Sequence, residues 1–183
     1  MHARADASDE QAAEQSAAWP EEIFAILKRF EVRQVPYVPD AGHSQLINRV
    51  LGEPSMRGIP LTTEEEGVAL LAGAWAGGQK GVLLMQSSGV GNCINMLSLT
   101  QIFRFPFLAL VTMRGEWGEF NSWQVPMGRA TPDVLRLADV LVYRADRPDE
   151  VEETVEAALD IAFVGELAAA VLLSQRLIGR KRW

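Results

Sequence analysis

Apolar residues recur along the chain in two alternating patterns, which are short continuous runs and stripes at helical spacing. The continuous runs predict buried strands, because they are short and are bounded by glycine, proline or polar residues. The predicted strands are VRQVPYVP (32–39), RGIPL (57–61), GVLLMQ (81–86), FPFLALVT (105–112), DVLVYRA (139–145) and LAAAVLLS (167–174). The stripes predict helices between them, such as EEIFAILKRF (21–30) and DEVEETVEAALDIAF (149–163).

Strands and helices alternate about six times, which predicts one doubly wound α/β domain. Its sheet is expected to have six mostly parallel strands, with helices on both faces. We place this domain at residues 21–177, after an N-terminal extension (1–20) that is poor in large apolar residues and before a basic tail (178–183).

Three connections are less regular than the rest of the pattern. SSGVGN (87–92) is predicted to turn the chain into a helix that runs through Phe103. A long irregular segment is predicted from Met113 to Thr131, and Pro132 is predicted to open a short helix, because proline is favoured in the first helical turn.

Composition narrows the class of function. The 183 residues carry a formal net charge of -7, so the electrostatic footprint of a nucleic-acid or anionic-membrane binder is absent. One cysteine, Cys93, and two histidines leave no disulfide framework and no zinc site of usual spacing. No apolar run is long enough to span a bilayer, and the N-terminus lacks the apolar core of a secretory signal. We therefore expect a cytoplasmic protein with no metal site of its own.

The stretch TTEEEGVALLAGAWA (62–76) places three glutamates directly before ten residues without a polar side chain, Gly67 to Ala76. A helix that is apolar all round is expected to be buried all round, and its many small residues favour close approach by another helix in a subunit interface. Thr63 with Glu66 fits a capping box, and so does Thr62 with Glu65. Because capping does not account for three acids, we expect a carboxylate at the edge of a dry interface.

The glycine-rich run QSSGVGNCIN (86–95) follows a predicted strand and opens a helix. This context suits a polar ligand at a helix N-terminus, but it equally suits a tight turn that needs the conformational freedom of glycine. The run is neither a P-loop, since it lacks Gly-Lys-Ser/Thr, nor a dinucleotide fingerprint, since Ile94 stands where a third small residue belongs.

Together these motifs resemble a known family. EEEGVALLAGAWAGGQKGVLLMQSSGVGN (64–92) is similar to the pyrimidine-binding (Pyr) domain of thiamine-diphosphate enzymes, and more narrowly to sulfopyruvate decarboxylase α subunits and the matching half of phosphonopyruvate decarboxylases. VPYVPD (35–40), MRGEWGE (113–119) and VPMGRATPDVL (125–135) extend the resemblance in the same order. It implies a Pyr-type fold and decarboxylation of 3-sulfopyruvate or 3-phosphonopyruvate to CO2 and the corresponding acetaldehyde.

The resemblance also gives one glutamate a catalytic role. In the family, a glutamate ten residues before an aromatic residue hydrogen-bonds the aminopyrimidine ring of the cofactor and favours its imino tautomer. Trp75 is that aromatic here, which points to Glu65, with Glu66 as the alternative one residue away. Glu66 is otherwise the capping-box partner of Thr63, and Glu64 is expected to be peripheral.

Further site residues follow from the same resemblance. The residues expected to bind the cofactor, besides Glu65, are Gly89, Val90, Gly91 and Asn92. Those expected to bind substrate are Asp40, His43, Ser88, Asn92 and Arg114. His43 is alternatively an ordinary helix-start residue, and Arg114 a salt-bridged loop arginine. The predicted loop at 114–131, with its aromatic, methionine and arginine residues, is expected to pack against a partner subunit or close the pocket.

The family's diphosphate-binding motif, Gly-Asp-Gly, occurs nowhere in this chain. The resemblance therefore implies a separate β subunit that holds the diphosphate and Mg²⁺, in an α2β2 or larger assembly. Other interpretations remain open: a same-fold subunit that acts on a different 2-oxoacid or in carboligation, and a non-catalytic regulatory module. A nucleotide-binding α/β protein is a further class, but no phosphate or ribose motif supports it.

Overall fold

A computed structural model describes residues 19–179 and shows one parallel sheet, with strand order β2-β1-β4-β5-β7-β6 and a short β3 beside β1. The predicted doubly wound α/β architecture is confirmed, and the run predicted as one strand at 81–86 is divided into β3 and β4. The strands are β1 (Val32–Tyr37), β2 (Arg57–Pro60), β3 (Lys80–Gly81), β4 (Leu83–Gln86), β5 (Phe107–Thr112), β6 (Leu141–Ala145) and β7 (Ala168–Leu173).

Helices cover both faces of this sheet. They are α1 (19–29), α2 (Ser44–Leu51), α3 (Glu64–Ala76), α4 (Ser87–Cys93), α5 (Ser98–Ile102), α6 (Val125–Leu137), α7 (Pro148–Phe163) and α8 (Gln175–Ile178), with a short 3-10 helix at Ser122–Gln124. Side chains of one strand alternate between two cores, as the period of a strand requires. Leu84 packs with α1, α2 and α7, whereas Leu83 packs on the opposite face with α3, α4 and α6.

The segment before α6 is shorter than predicted. The helix begins at Val125 and continues through Pro132, so the predictions of an irregular segment to Thr131 and of a helix opened by Pro132 were wrong. Proline removes one backbone donor from a helix. The helix nevertheless continues past the proline to Leu137.

The glycine-rich run also differs from the prediction. It forms helix α4 itself instead of a turn, and a separate helix, α5, follows it, so the continuous helix through Phe103 was wrong. Helix α1 already includes residues 19 and 20, with Trp19 buried, and α8 extends to Ile178, so both predicted domain edges fall inside helices. Predictions for 1–18 and 180–183 lie outside the described residues.

Within residues 19–179, no helix is long and apolar enough to cross a membrane.

Candidate active site

Ligands of open α/β sheets bind at the carboxyl edge of the strands, where the strand order reverses. This sheet has such a switch point between β1 and β4, since β2 lies beyond β1 and the later long strands lie beyond β4. All strands are parallel, so their carboxyl ends meet at one edge. The polar residues that follow these ends form the candidate site.

Asp40 lies at the switch point, just after β1. Its Oδ1 accepts a hydrogen bond from Gln86 Nε2 at the end of β4 (3.0 Å), and its Oδ2 accepts from Thr112 Oγ1 at the end of β5 (2.6 Å). The Gly42 backbone N–H also donates to Oδ2 at 3.1 Å. Ser88 donates its hydroxyl hydrogen bond to Gln86 Oε1 at 3.0 Å, which extends the network to α4. Asp40 and Ser88, two predicted substrate contacts, thus belong to one half-buried network.

His43 is placed in the protein core instead. Its side chain has 0% exposure, and Nε2 donates to the Leu110 carbonyl oxygen at 3.0 Å, while Nδ1 has no hydrogen-bond partner among residues 19–179. Burial lowers the pKa of the imidazole, and the nearby Asp40 carboxylate opposes that shift only in part. His43 occupies the N-cap position of α2 without capping it through its side chain. A direct contact with substrate stays a prediction that this burial does not favour.

Arg114 follows β5 and is held by a buried ion pair. Its Nε and Nη2 both donate to the Glu119 carboxylate at 2.6 Å, a bidentate geometry that suits a guanidinium. This pairing lowers the pKa of Glu119 to about 2, with backbone N–H groups and the Gln175 amide adding to the effect. The salt-bridged alternative is therefore what the structure shows, although Arg114 binding substrate stays an untested prediction.

The residues that hold this segment were not predicted from the sequence. Gln175 Oε1 accepts from the backbone N–H groups of Glu116 and Trp117, and its Nε2 donates to Glu119 at 2.9 Å. Glu116 in turn accepts two hydrogen bonds from Arg144, at the end of β6. The sequence offered one signal for Gln175, which is its position directly after a predicted buried strand.

The three glutamates at the start of α3 point in different directions. Glu64 is buried, and its Oε2 accepts from Asn92 Nδ2 at 2.8 Å, so the expectation that Glu64 is peripheral was wrong. Glu66 Oε2 accepts from the Thr62 backbone N–H at 3.0 Å, whereas Thr63 makes no side-chain cap, so the predicted Thr63 capping box does not form. Glu65 is exposed and makes no hydrogen bond or ion pair with any described residue.

Helix α3 buries one side within this chain, and the expected burial of its other side in a subunit interface stays a prediction. Gly67, Val68, Leu71 and Ala72 face the core. Below Glu65, the exposed side consists of the small residues Ala69, Gly73 and Ala76. A Cβ added to Gly73 would meet nothing within 4 Å, so this side of the helix is open.

The glycine-rich run packs tightly under α3. A Cβ on Gly89 would overlap the carboxyl group of Glu64, so this position requires glycine for the acid to be buried. Val90 is fully buried in the core, and a Cβ on Gly91 would lie 3.0 Å from Met127 Sδ. Of the predicted cofactor contacts in this run, Asn92 is the exposed one, and the cofactor roles of all four stay predictions.

Comparisons with known proteins were consistent with one another. Sulfopyruvate decarboxylase subunit alpha from Methanothermobacter thermautotrophicus is 36% identical over 154 residues, which cover 84% of this chain and 93% of that protein. The same subunit from Methanococcus maripaludis is 33% identical over 154 residues, 84% of this chain and 92% of that protein. Phosphonopyruvate decarboxylase from Streptomyces viridochromogenes is 36% identical over 162 residues, 86% of this chain but only 40% of that protein. No protein-family model matches the chain.

A solved structure shares the fold. A chain of 2-oxoglutarate:ferredoxin oxidoreductase from Magnetococcus marinus superposes with a TM-score of 0.66, covering 87% of this chain and 29% of that chain. The sequence identity is 12%, so the match shows the architecture alone.

Proposed function

The chain belongs to the family of sulfopyruvate decarboxylase α subunits, and from that membership we propose that it is the pyrimidine-binding subunit of a thiamine-diphosphate-dependent decarboxylase. Its substrate is 3-sulfopyruvate or 3-phosphonopyruvate, and its products are CO2 and the corresponding acetaldehyde. The observation that carries the proposal is the state of Glu65, an exposed carboxylate at the carboxyl edge of the sheet with no partner among residues 19–179.

The donor set fits an aminopyrimidine ring. Ion pairs and hydrogen bonds within the chain occupy most acids at this edge, including Asp40, Glu64 and Glu119. Of the three glutamates at the start of α3, Glu65 is the one whose two carboxylate oxygens make no hydrogen bond in the described part of the chain, which leaves both for a ligand. When bound, thiamine diphosphate supplies the nucleophilic carbon and the electron sink for loss of CO2. Glu65 would be the residue of this chain that hydrogen-bonds a ring nitrogen of the pyrimidine.

The open side of α3 supports a second subunit in the complete site. A carboxylate works as a proton holder best in a water-excluded pocket, and a face of small residues permits close approach of another helix. The relatives' name, subunit alpha, implies a partner, and the phosphonopyruvate decarboxylase continues well beyond the matched region. We assign to this partner the binding of the diphosphate and Mg²⁺, in an α2β2 or larger complex.

On the substrate side, Asp40 and Ser88 are the proposed direct contacts. Both are half-buried and lie at the switch point, joined through Gln86. Glu119 balances the charge of Arg114 and holds its guanidinium against the 114–121 segment, which makes Arg114 a weaker candidate than Asp40 and Ser88 for a direct substrate contact. His43 has a structural role, in which it donates a hydrogen bond to the Leu110 carbonyl oxygen of β5.

The experiment is reconstitution with a diphosphate-binding partner subunit. The chain and the partner are co-expressed, supplied with thiamine diphosphate and Mg²⁺, and assayed for CO2 release from 3-sulfopyruvate, 3-phosphonopyruvate and pyruvate. We expect one of the two anionic substrates to be preferred, and the chain without the partner to be inactive. Activity of the chain alone, or an active complex that prefers pyruvate, contradicts the proposal.

A further inference from the structure

Helices α3 and α4 are joined by a half-buried polar contact beside the proposed catalytic glutamate. Glu64 has 7% of its surface exposed, and its Oε2 accepts from the side-chain amide of Asn92 at 2.8 Å. A buried carboxylate is costly unless it is hydrogen-bonded, so this amide compensates a real penalty. Gly89, one turn before Asn92, is the residue whose missing side chain makes room for the acid.

The contact lies next to Glu65 along the backbone. Glu64 and Glu65 are consecutive residues in the first turn of α3. Holding the Glu64 side chain in place therefore also restrains the backbone that carries the Glu65 side chain. Glu66, the residue after Glu65, accepts a hydrogen bond from the Thr62 backbone N–H. This bond holds the same turn against the segment that precedes α3. Glu64 and Glu66 are thus both hydrogen-bonded, whereas Glu65 between them makes no hydrogen bond with any residue that the structure describes.

We propose that the Asn92–Glu64 hydrogen bond positions Glu65. Asn92 and Glu64 are positioning residues that do not touch the cofactor, and they act by holding the first turn of α3 against α4. The proposal rests on the proposed function, because it supposes that the direction of the Glu65 carboxylate controls the rate. It gives Asn92 a role different from the cofactor or substrate contact predicted from the sequence.

The test exchanges the amide and the carboxylate between the two ends of this hydrogen bond. Asn92→Asp places a carboxylate opposite the Glu64 carboxylate and should push the acid out of its site. Adding Glu64→Gln restores a hydrogen bond in which the new amide donates to the new carboxylate. We expect Asn92→Asp to lower kcat of the reconstituted complex by about 10- to 100-fold with little change in KM, since small misplacements of reacting groups have costs of this order. The double variant should recover at least half of that loss on a logarithmic scale.

Hydrogen exchange of the unassembled full chain gives a readout that needs no activity. Backbone amides at 67–70, which bond to carbonyls of the first turn of α3, should exchange faster in Asn92→Asp and return toward the wild-type rate in the double variant. Asn95→Asp is the matched control, because it makes the same substitution at an exposed position three residues later whose side chain makes no hydrogen bond among residues 19–179. It should leave both kcat and exchange unchanged.

The outcomes separate this inference from the proposed function. An Asn92→Asp variant with wild-type kcat and wild-type exchange overturns the positioning role, even if Glu65→Gln is inactive. A double variant no better than Asn92→Asp overturns it as well. If Glu65→Gln retains full activity, the proposed function fails first, and the exchange data alone then report whether Asn92 holds the turn.

Discussion

At the scale of single residues, the ion pair between Arg114 and Glu119 is the most constrained contact at the sheet edge. The exposed fractions of the two side chains are 8% and 3%, and the carboxylate accepts further hydrogen bonds from the Gly115 and Asn121 backbone N–H groups. The pair holds the 114–121 segment over the ends of β5 and β7. The ion pair has a structural role, because each of the two buried charges compensates the other.

Glu119→Gln should destabilise the chain by about 3 kcal/mol at pH 7, because it leaves the Arg114 charge buried without its partner. The wild type should also lose stability in acid. Its Glu119 pKa is lowered from 4.5 to about 2, so the stabilisation is complete above pH 4.5 and is lost as the pH falls toward 2. Urea unfolding across this range checks both effects. A variant with wild-type stability, or with the same acid dependence, would show that the pair contributes nothing.

His43 gives a second pH dependence, nearer neutrality. Burial lowers its pKa below the ordinary 6.5, so below that pH the unfolded chain binds a proton that the folded chain resists. Stability should therefore fall as the pH drops from 6.5, with a slope of up to about 1.4 kcal/mol per pH unit. Thermal unfolding of His43→Leu between pH 7 and 5 should be flatter than that of the wild type. Parallel curves would mean that another group causes the acid loss.

At the scale of elements, α3 carries the interface prediction. Its open side holds Gly73, where a Cβ would meet nothing in this chain. Gly73→Ala should raise the stability of the isolated chain by about 0.5–1 kcal/mol, because glycine inside a helix is entropically costly. If a partner helix approaches this side closely, the same methyl should weaken assembly.

Chemical denaturation of the chain and titration with the partner subunit measure these opposite effects of Gly73→Ala. Ala157→Gly on α7, on the opposite face of the sheet, reverses the change as a control: it should lower stability and leave assembly unaffected. An alanine at position 73 that leaves partner affinity unchanged would place the interface elsewhere.

The strands and helices also show which features the local sequence pattern can predict. All six predicted strands were found. The continuous apolar runs of β4, β5 and β7 are characteristic of strands buried on both faces, whereas the edge strands β2 and β6 are partly exposed. Helix α6 was misjudged at Pro132, because local rules place proline in a first turn, whereas this helix begins at Val125 and continues through the proline. Helix α4 was read as a turn because its glycines look like flexibility, whereas Gly89 is there to admit Glu64 from a segment 25 residues earlier.

At the scale of the whole molecule, the sheet topology brings distant residues to one edge. The family resemblance, together with sequence position after a strand, was enough to predict Asp40, Ser88 and Arg114 at this edge. It was not enough to pair Arg114 with Glu119, or to place Gln175 between Glu116 and Glu119, because those bonds depend on how β5 and β7 lie side by side.

The balance of charge at this edge has a consequence for substrate binding. Arg114 and Arg144, which follow or end strands, are both bonded to glutamates. We expect the partner subunit to supply the cations that face the anionic substrate. Calorimetry should therefore detect 3-sulfopyruvate binding to the assembled complex and not to this chain alone. Binding of comparable strength to the isolated chain would place the anion site here.

The central claim is tested most directly by replacing Glu65 with glutamine in the reconstituted, cofactor-loaded complex and measuring CO2 release from 3-sulfopyruvate and 3-phosphonopyruvate. Glu153→Gln, an exposed glutamate on α7 at the opposite face of the sheet, is the matched control. We predict that Glu65→Gln lowers kcat at least about 100-fold, as loss of a proton-holding group does, while subunit assembly and thermal stability match the control. A Glu65→Gln complex within a few-fold of wild-type activity would contradict the assignment.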